Sequence, residues 1–221
     1  MKAVIFKAPN EMVVEERDKP TVKQPSDAIV RIVRTCVCGS DLWWYRGIDE
    51  ERMAPDSQVG HEGIGVVEEV GDEVTDFKKG DFVIIPFGLS CGKCANCRAG
   101  RFTNCLHSAW LSSGQSEYAY VPNANGSLDK IPSGDYTEEQ LASLLTLSDV
   151  MGTGYHAAVS ARVKEGDTVA VVGDGAVGLC AVIAAKMLGA KRIVAMSRHE
   201  DRQKLAREFG ATDIVAERGE E

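Results

Sequence analysis

Short runs in which hydrophobic and polar residues alternate recur along the first 135 residues of the chain, and this pattern predicts β-strands. The runs are separated by turn-forming segments such as residues 8–10, 71–72 and 79–81, which carry Pro, Gly, Asn or Asp. Many short strands with frequent turns are typical of a β-barrel or a β-sandwich. We predict strands over residues 3–6, 12–15, 28–34, 63–70, 82–85 and 117–121.

The hydrophobic period changes near residue 135. Thr137 and Gln140 have the spacing of a capping box, which predicts the start of a helix, and a second helix is predicted over residues 152–162. Strands and helices then alternate, as in a parallel α/β sheet. We predict these elements over residues 168–172, 176–188, 192–196, 201–209 and 213–215. The first strand is continuously apolar and the alanine-rich helix after it is apolar too, so we expect that strand to be buried on both faces and that helix to be buried.

Composition and charge limit the partners that the chain can have. Its 221 residues are enough for one large domain or two modest ones, and its formal net charge is −8. No basic run stands out, which argues against nucleic acid or an anionic membrane as the main partner. No apolar stretch approaches the ~20 residues that cross a bilayer, and the charged N-terminus predicts a strand, not a signal peptide. The cysteine content fits a reducing cytoplasm.

Four cysteines lie within fifteen residues, with two, two and seven residues between them: Cys91, Cys94, Cys97 and Cys105. Four thiolates complete the tetrahedron that zinc favours, and short spacers let a tight turn aim successive sulfurs at one point. The alternatives are a pair of disulfides or four buried thiols. A four-thiolate site leaves no open position, so we predict a structural zinc and expect the chemistry to lie elsewhere.

A second group of metal-ligand residue types lies earlier in the chain. It consists of Cys38, His61 and Glu62, which are flanked by glycines. Taken singly, a Cys or a His is most often an ordinary core residue. Taken together, a thiol, an imidazole and a carboxylate predict a second metal site of a different kind.

The glycine-rich motif G-D-G-A-V-G begins at Gly173, directly after a predicted strand, and opens a predicted helix. In this context it predicts a dinucleotide site, although a tight turn without a ligand is the alternative. Gly173 allows the tight turn, Gly175 lets a pyrophosphate approach the backbone, and Gly178 lets helix and strand pack closely. The amides at the helix start, including those of Ala176 and Val177, then meet the phosphates.

The end of the next predicted strand distinguishes the two nicotinamide cofactors. An acid there would bind the ribose 2′-hydroxyl of NAD, but this chain has Ser197, Arg198 and His199. Arg198 would attract a 2′-phosphate, Ser197 adds a hydroxyl donor, and Arg202 adds charge. We therefore predict NADP, with NAD as the alternative; the alternative role for Arg198 is a solvated loop cation.

These motifs, in this order, resemble the zinc-dependent medium-chain alcohol dehydrogenases over the whole chain. The stretch G-H-E-G-I-G at residues 60–65, with Gly71 six residues later, is similar to the zinc signature of that family. The resemblance implies an α/β chain: a GroES-like β-barrel over residues 1–150, with a structural-zinc lobe at about residues 88–106, and a partial Rossmann domain, a doubly wound parallel sheet, over residues 151–221. It implies hydride transfer between an alcohol and NADP in the cleft between the two domains.

The resemblance also assigns the catalytic zinc ligands. Cys38 and His61 match two of them, and Asp149 stands at the position of the third, which is commonly a cysteine in the family. The alternative for Asp149 is the N-cap of the next helix. Glu62 would be a nearby carboxylate that can bind or leave the metal.

Further roles follow from the same resemblance. Asp41 resembles the acid that orients the ligand histidine, and Ser40 matches the hydroxyl that passes the alcohol proton outward. Trp43 stands where many members carry the histidine that ends this relay, so the last step goes to water, the cofactor ribose or another group. Phe87 matches an aromatic residue of the substrate pocket. Trp43 and Trp110 are also pocket candidates, with plain core aromatics as the alternative.

Members of the family are longer than this chain, which ends after the third predicted strand of its α/β part. We expect a C-terminally truncated dehydrogenase that acts on an alcohol, aldehyde or ketone and forms a homo-oligomer in the cytoplasm. The alternative is a catalytically inactive zinc-binding structural or interaction module. In either case, residues 168–172 would form an exposed sheet edge that is prone to pair with another chain.

Overall fold

The chain folds into two units. The computed structural model describes residues 1–48 and 53–217. The first unit is Met1–Ser148 and the second is Asp149–Glu221. The last four residues of the predicted second domain lie outside the described part. Over the described ranges, none of the helices has the length and apolar character that a bilayer crossing requires.

Antiparallel strands make up most of the regular secondary structure of the first unit. They are β1 (Lys2–Ala8), β2 (Glu11–Glu16), β3 (Ala28–Arg34), β4 (Ser57–Gln58), β5 (Gly63–Val70), β6 (Phe82–Ile85), β7 (Gly88–Leu89), β8 (Ala109–Trp110), β9 (Tyr118–Val121) and β10 (Asp129–Lys130). Their sheet orders are β10-β6-β5-β3-β9, β2-β1-β4 and β7-β8. The two larger sheets are joined where the Val4 amide donates to the Gln115 carbonyl over 2.9 Å, and the Glu117 amide to the Lys2 carbonyl over 3.0 Å.

Short helices lie between these strands. They are α1 (Asp41–Tyr45), α2 (Ala95–Arg98), α3 (Ala124–Ser127) and α4 (Glu138–Leu145), with 3-10 turns at Phe102–Asn104 and Thr146–Ser148. The predicted capping box is present: the Gln140 amide donates to Thr137 Oγ1 over 3.2 Å, and the Thr137 amide to Gln140 Oε1 over 2.9 Å. Leu141 and Leu145 then pack against Ile64 of β5, which fixes α4 on the sheet.

The main core of the first unit lies on one face of the five-stranded sheet. Val30 of β3, Val67 of β5 and Val121 of β9 are fully buried there. Val83 and Ile85 are two residues apart on β6, so their side chains point to the same face and both are buried. Burial of such a side chain contributes roughly 1.5–3 kcal/mol each. The alternating pattern of the sequence thus produces this core directly.

The second unit is an alternating α/β arrangement. Its elements are α5 (Val150–Ser160), β11 (Thr168–Val172), α6 (Ala176–Met187), β12 (Arg192–Met196), α7 (Glu200–Phe209) and β13 (Asp213–Val215). The strands are parallel, in the order β11-β12-β13. Val171, Val182, Ile193 and Ala206 form the centre of its core.

Two burial predictions for this unit are wrong. Val171 is the buried residue of β11, whereas Val172 is 79% exposed. Thr168 and Ala170 are exposed like Val172, and alternate residues share a face, so one face of β11 is uncovered. The helix α6 buries Cys180 and Val182 but leaves Met187 67% exposed. An apolar composition states what a segment can bury, but the neighbouring elements decide which faces are covered.

A buried acid, Asp27, joins the turn before β3 to the end of β9. It is 2% exposed and accepts hydrogen bonds from the amides of Gln24 at 2.9 Å and Asn123 at 3.2 Å, and from the Tyr120 hydroxyl. Burial and the hydrogen bond to Asp27 raise the pKa of Tyr120 to about 12. A single carboxylate therefore satisfies three donors from two separate parts of the first unit.

Replacement of Asp27 by Ala should destabilise the first unit. We expect Asp27→Ala to lower the free energy of unfolding by about 3 kcal/mol, because buried donors lose a charged acceptor. Tyr120→Phe, which removes one of the donors, should cost about 1 kcal/mol. Urea denaturation measures both values, with the exposed Asp72→Ala as the control. A loss for Asp27→Ala no larger than that for Asp72→Ala would contradict this role.

Candidate functional site

Four cysteine sulfurs meet in the segment between β7 and β8. The Sγ–Sγ distances are 3.5 Å for Cys94–Cys97, 3.5 Å for Cys91–Cys105 and 3.9 Å for Cys94–Cys105. Sulfurs that each lie ~2.3 Å from one zinc ion, at the corners of a tetrahedron, would be separated by ~3.8 Å. None of these four cysteines forms a disulfide, so the disulfide alternative is not realised. The four residues therefore fit a zinc ion.

Backbone amides point at the sulfurs of this lobe. The amides of Cys91 and His107 both donate to Cys105 Sγ over 3.3 Å. Hydrogen bonds from backbone amides lower the pKa of Cys94 to about 6, whereas burial and neighbouring thiols raise the pKa of Cys97 to about 12. Four thiolates in one small space need a compensating positive charge, and a divalent cation would supply it.

Cys38, His61 and Glu62 also come together in the first unit. One ligand atom from each lies within 4.8 Å of the others. Cys38 lies just before α1, while His61 and Glu62 lie just before β5, so the fold joins two loops here. A thiolate, an imidazole and a carboxylate are the ligand types that zinc accepts, and three ligands leave a coordination position for another group. The chemistry of these donors fits a catalytic metal.

Asp41, on α1, is 3% exposed and connects the parts of this cluster. Its Oδ1 lies 3.3 Å from His61 Nδ1. Its Oδ2 accepts from the Cys38 amide at 3.0 Å and from Gln115 Nε2 at 2.9 Å. A carboxylate at Nδ1 fixes the orientation of the imidazole and directs Nε2 away from itself. Ser40 Oγ lies 3.4 Å from that Nε2.

Gln115 belongs to this arrangement, and sequence reasoning missed it. Besides Asp41, its side-chain amide donates to the Cys36 carbonyl over 3.3 Å, and its backbone amide donates to the Val59 carbonyl over 3.1 Å. A Cβ at Gly60, where φ is +92°, would lie 2.5 Å from the Gln115 nitrogen, so only glycine allows this approach. Gln115 and Asp41 are 74 residues apart, and no local motif signals their contact.

Aromatic rings surround His61. The rings of Trp44 and Phe87 lie edge-on to it, each with a centroid distance of 6.5 Å, and Trp110 stacks on Phe87 at 5.5 Å. Trp43 is 57% and Trp110 is 70% exposed, so neither is a plain core aromatic. Trp44 is the α1 tryptophan with its ring against His61. Consecutive helical residues point about 100° apart, so Trp43 and Trp44 face different directions, and the sequence analysis did not select Trp44.

Asp149 begins the second unit and holds the N-cap position of α5. The Thr153 hydroxyl donates to Asp149 Oδ1 over 3.0 Å. The preceding residue, Ser148, ends the first unit; it is 1% exposed, and its carbonyl accepts from the Phe87 amide over 3.1 Å. A trans peptide places successive Cα atoms ~3.8 Å apart, so chain connectivity alone keeps Asp149 close to Ser148.

The glycine-rich loop joins β11 to α6. Gly173 has a φ of +113°, and a Cβ at Gly178 would lie 2.1 Å from the Gly173 carbonyl oxygen. A Cβ at Gly175 would meet nothing within 4 Å, so the loop is open there. The first amides of α6, at Ala176 and Val177, have no acceptor within their own helix. This loop fits a pyrophosphate, because it turns tightly at Gly173, packs closely at Gly178, is open at Gly175 and offers the free amides of the helix start.

A cavity of about 150 Å³ lies beyond the ends of β11 and β12, and Arg198 and His199 contribute to its lining. Asp174, the second residue of the glycine-rich loop, also lines it. The Ser197 hydroxyl donates to Asp174 Oδ2 and Arg202 Nη1 donates to Asp174 Oδ1, each over 2.9 Å. Burial raises the pKa of Asp174, but these two hydrogen bonds outweigh it, so that the pKa lies below its usual value. Sequence reasoning selected Ser197, Arg198 and Arg202 and missed the acid between them.

Known proteins resemble the chain in both units. A family model described as an alcohol dehydrogenase GroES-like domain matches residues 24–133, and one described as a zinc-binding dehydrogenase matches residues 176–221. Zinc-type alcohol dehydrogenase B of Aspergillus flavus is 38% identical over 223 residues, which cover 96% of this chain and 50% of that protein. The medium chain reductase/dehydrogenase ucsI of Acremonium sp. is 33% identical over 230 residues, which cover 99% of this chain and 77% of that protein.

A solved structure shows the same likeness. Alcohol dehydrogenase TADH from Thermus sp. ATN1 is 33% identical with a TM-score of 0.88, and the match covers 97% of this chain and 63% of that one. The chain thus spans about half the length of the Aspergillus relative and under two thirds of the Thermus enzyme.

Loss of one lobe cysteine should remove one metal ion and destabilise the first unit. We expect Cys97→Ser to contain one zinc ion fewer per chain than the wild type, because a four-thiolate site needs all its ligands. Elemental analysis of the purified protein measures the metal, and urea denaturation measures the stability. Cys180→Ala, which removes a buried thiol of α6, is the control and should keep the zinc content. An unchanged zinc content in Cys97→Ser would rule out this lobe as a zinc site.

Proposed function

The chain belongs to the zinc-dependent medium-chain alcohol dehydrogenase family, and we propose that it transfers a hydride between an alcohol and NADP. In the reverse direction it would reduce an aldehyde or a ketone. The observation that carries this proposal is the meeting of Cys38, His61 and Glu62 beside the buried carboxylate of Asp41. This donor set suits a metal that also binds a substrate oxygen.

We propose that Cys38, His61 and Asp149 hold the catalytic zinc and that Glu62 is a carboxylate able to bind or leave it. When bound, zinc would act as a Lewis acid that lowers the pKa of the alcohol. Chain connectivity supports Asp149, because the residue before it is anchored by the Phe87 amide. The N-cap position of Asp149 is compatible with this role, since that position is defined by the backbone and does not determine what the carboxylate binds.

The chain's own side chains would handle the proton and the substrate. Ser40 is exposed and its Oγ lies 3.4 Å from His61 Nε2, so its hydroxyl can pass the alcohol proton to water. Asp41 keeps the imidazole oriented throughout. Phe87, together with Trp110 stacked on it, offers an apolar surface beside His61. These aromatics favour a small or moderately apolar substrate.

For the cofactor, we propose NADP in preference to NAD. Bound NADP would accept the hydride, and the chain's part is to hold its pyrophosphate at the amides of Ala176 and Val177 and to exclude water. Arg198 in the cavity lining supports a 2′-phosphate, whose charge it would attract. The end of β12 carries Ser197 where NAD sites carry an acid. Arg202, on α7, adds a second positive charge.

The four-cysteine lobe would have a structural task. We propose that a zinc ion held by its four thiolates fixes the segment between β7 and β8, the strand that carries Trp110. Sulfur separations of 3.5–3.9 Å support this assignment. Such a site has no free coordination position and takes no part in the reaction.

A second candidate function is a zinc-binding structural or interaction module without turnover. Within the described residues β11 lies at the edge of its sheet, which favours this function because an open strand edge can pair with another chain. NADPH formation with a panel of alcohols distinguishes the two proposals. A homo-oligomer and a cytoplasmic location stay predictions in both cases.

Removal of a metal ligand should abolish turnover but leave cofactor binding intact. We expect Cys38→Ser and His61→Ala to lower kcat by more than about 100-fold, because the open metal site is lost. NADPH absorbance measures turnover, and calorimetry measures NADPH binding. His156→Ala, an exposed histidine of α5, is the control. Wild-type activity in either mutant would show that the site is misassigned, and a wild type without turnover would favour the module.

Exchange of two residues after β12 should change the cofactor preference. We expect Ser197→Asp with Arg198→Ile to lower the ratio of kcat/KM for NADP to that for NAD by about 100-fold, because an acid that repels the 2′-phosphate replaces a neutral serine and a cation is lost. Steady-state kinetics with both cofactors measures this ratio. Lys204→Ile, which removes an exposed charge from α7, is the control. An unchanged ratio in the double variant would refute the role given to Arg198.

A further inference from the structure

Asp174 places a negative charge in the cavity where we propose that a phosphorylated ribose binds. Such a ribose would be stabilised by positive charges and not by a carboxylate. Asp174 lines the cavity together with Ser197 and Arg198, and its side chain is 16% exposed. The sheet register explains its position. Val172 and Met196 are Cα partners on β11 and β12, so the residues that follow these two strands are neighbours. The glycine-rich loop therefore brings an acid to the end of β12, where the sequence itself carries none.

The hydrogen bonds of Asp174 decide what Ser197 can offer a ligand. Ser197 is 3% exposed, and its single hydroxyl hydrogen is donated to Asp174 Oδ2. Its oxygen can then only accept from a further group. A ribose 2′-hydroxyl can donate to Ser197 or to Asp174, whereas an ionised 2′-phosphate needs donors. This arrangement suits an unmodified ribose better than a phosphorylated one.

The charges around the cavity also favour an unmodified ribose over a phosphorylated one. Arg202 Nη1 and Asp174 Oδ1 are 2.9 Å apart, so their charges offset each other at the cavity. The Arg202 side chain is 52% exposed, which leaves part of its guanidinium accessible to a ligand. A 2′-phosphate carries close to two negative charges and would be repelled by Asp174 and by Glu217, which also lines the cavity, while it is attracted by Arg198 and Arg202.

We propose that Asp174 is a specificity-determining residue of the cofactor site, whose carboxylate favours an unmodified ribose and limits the preference for NADP that Arg198 and Arg202 produce. The acid that NAD sites carry at the end of the second strand is supplied here by the glycine-rich loop. This inference rests on the proposed function to the extent that the cavity binds the adenosine ribose. According to this proposal, Asp174 favours NAD and Arg202 favours NADP.

A charge-balance experiment tests this inference in the full chain. The variants are Asp174→Asn, which keeps the shape and removes the charge, Arg202→Gln, and the double variant. Calorimetry at fixed ionic strength gives Kd for 2′,5′-ADP and for 5′-AMP, which differ in the 2′-phosphate alone. The ratio of Kd for 5′-AMP to Kd for 2′,5′-ADP should rise about 3- to 10-fold in Asp174→Asn and fall by a similar factor in Arg202→Gln, because one unit charge is removed in each case. In the double variant the net charge is restored, so the ratio should lie within about twofold of the wild type.

Two further variants separate the charge of Asp174 from its place in the fold. Asp174→Glu keeps the charge, and its ratio should stay within about twofold of the wild type. Asp201→Asn removes an exposed acid from α7, and its ratio should change less than that of Asp174→Asn because solvent screens the lost charge. An unchanged or lowered ratio in a folded Asp174→Asn would overturn the proposal, since Asp174 would then serve only to position Arg202. Equal changes in Asp174→Asn and Asp174→Glu would overturn it as well.

The same measurements test the role of Asp174 independently of the proposal that the cofactor is NADP. The wild-type ratio alone tests the preference for a 2′-phosphate. A wild-type preference for 5′-AMP, with a raised ratio in Asp174→Asn, would refute NADP as the cofactor and support the role of Asp174. If 2′,5′-ADP and 5′-AMP bind neither the wild type nor the folded variants, the cavity is not a nucleotide site and both proposals fail.

Discussion

A buried carboxylate at Asp41 is the constraint on which the candidate catalytic site depends. Its two oxygens face His61 Nδ1, the Cys38 amide and the Gln115 side chain, so the loop before α1, the loop before β5 and the segment before β9 share one acceptor. A buried charge is tolerated when it is hydrogen-bonded and paired. The same contacts that stabilise Asp41 therefore orient the imidazole, and a change in one loop would displace the candidate metal ligands.

The second unit uses a similar device for a different purpose. Asp174 receives one hydrogen bond from Ser197 and one from Arg202, and these donors come from the end of β12 and from α7. The donors around Asp41 fix the orientation of side chains, because the candidate ligand there is a metal that needs fixed angles. The donors around Asp174 set the net charge of the cavity, because the candidate ligand there is an anion whose recognition depends on that charge.

Most of the fold could be predicted from the sequence because its signals are local. The predicted fold class, an α/β chain with a GroES-like β-domain before Rossmann strands, is confirmed by the matched family models and the Thermus structure. The capping box of α4 forms between residues three apart, and β3, β5 and β6 begin and end where the alternating pattern predicts. Burial was predicted less well, since the exposure of Val172 depends on which elements cover each face of its strand.

The sequence by itself determined the kinds of residue available for each site. Two-residue spacers bring the cysteine sulfurs of the lobe together, and a glycine at 173 permits the turn before α6. Only the tertiary structure decided which polar groups meet across long separations. Gln115 reaches Asp41 over 74 residues and Arg202 reaches Asp174 over 28, and neither spacing carries a signal of contact. Local chemistry is encoded by neighbours in the chain, whereas hydrogen-bond partners of this kind are selected by strand register and loop packing.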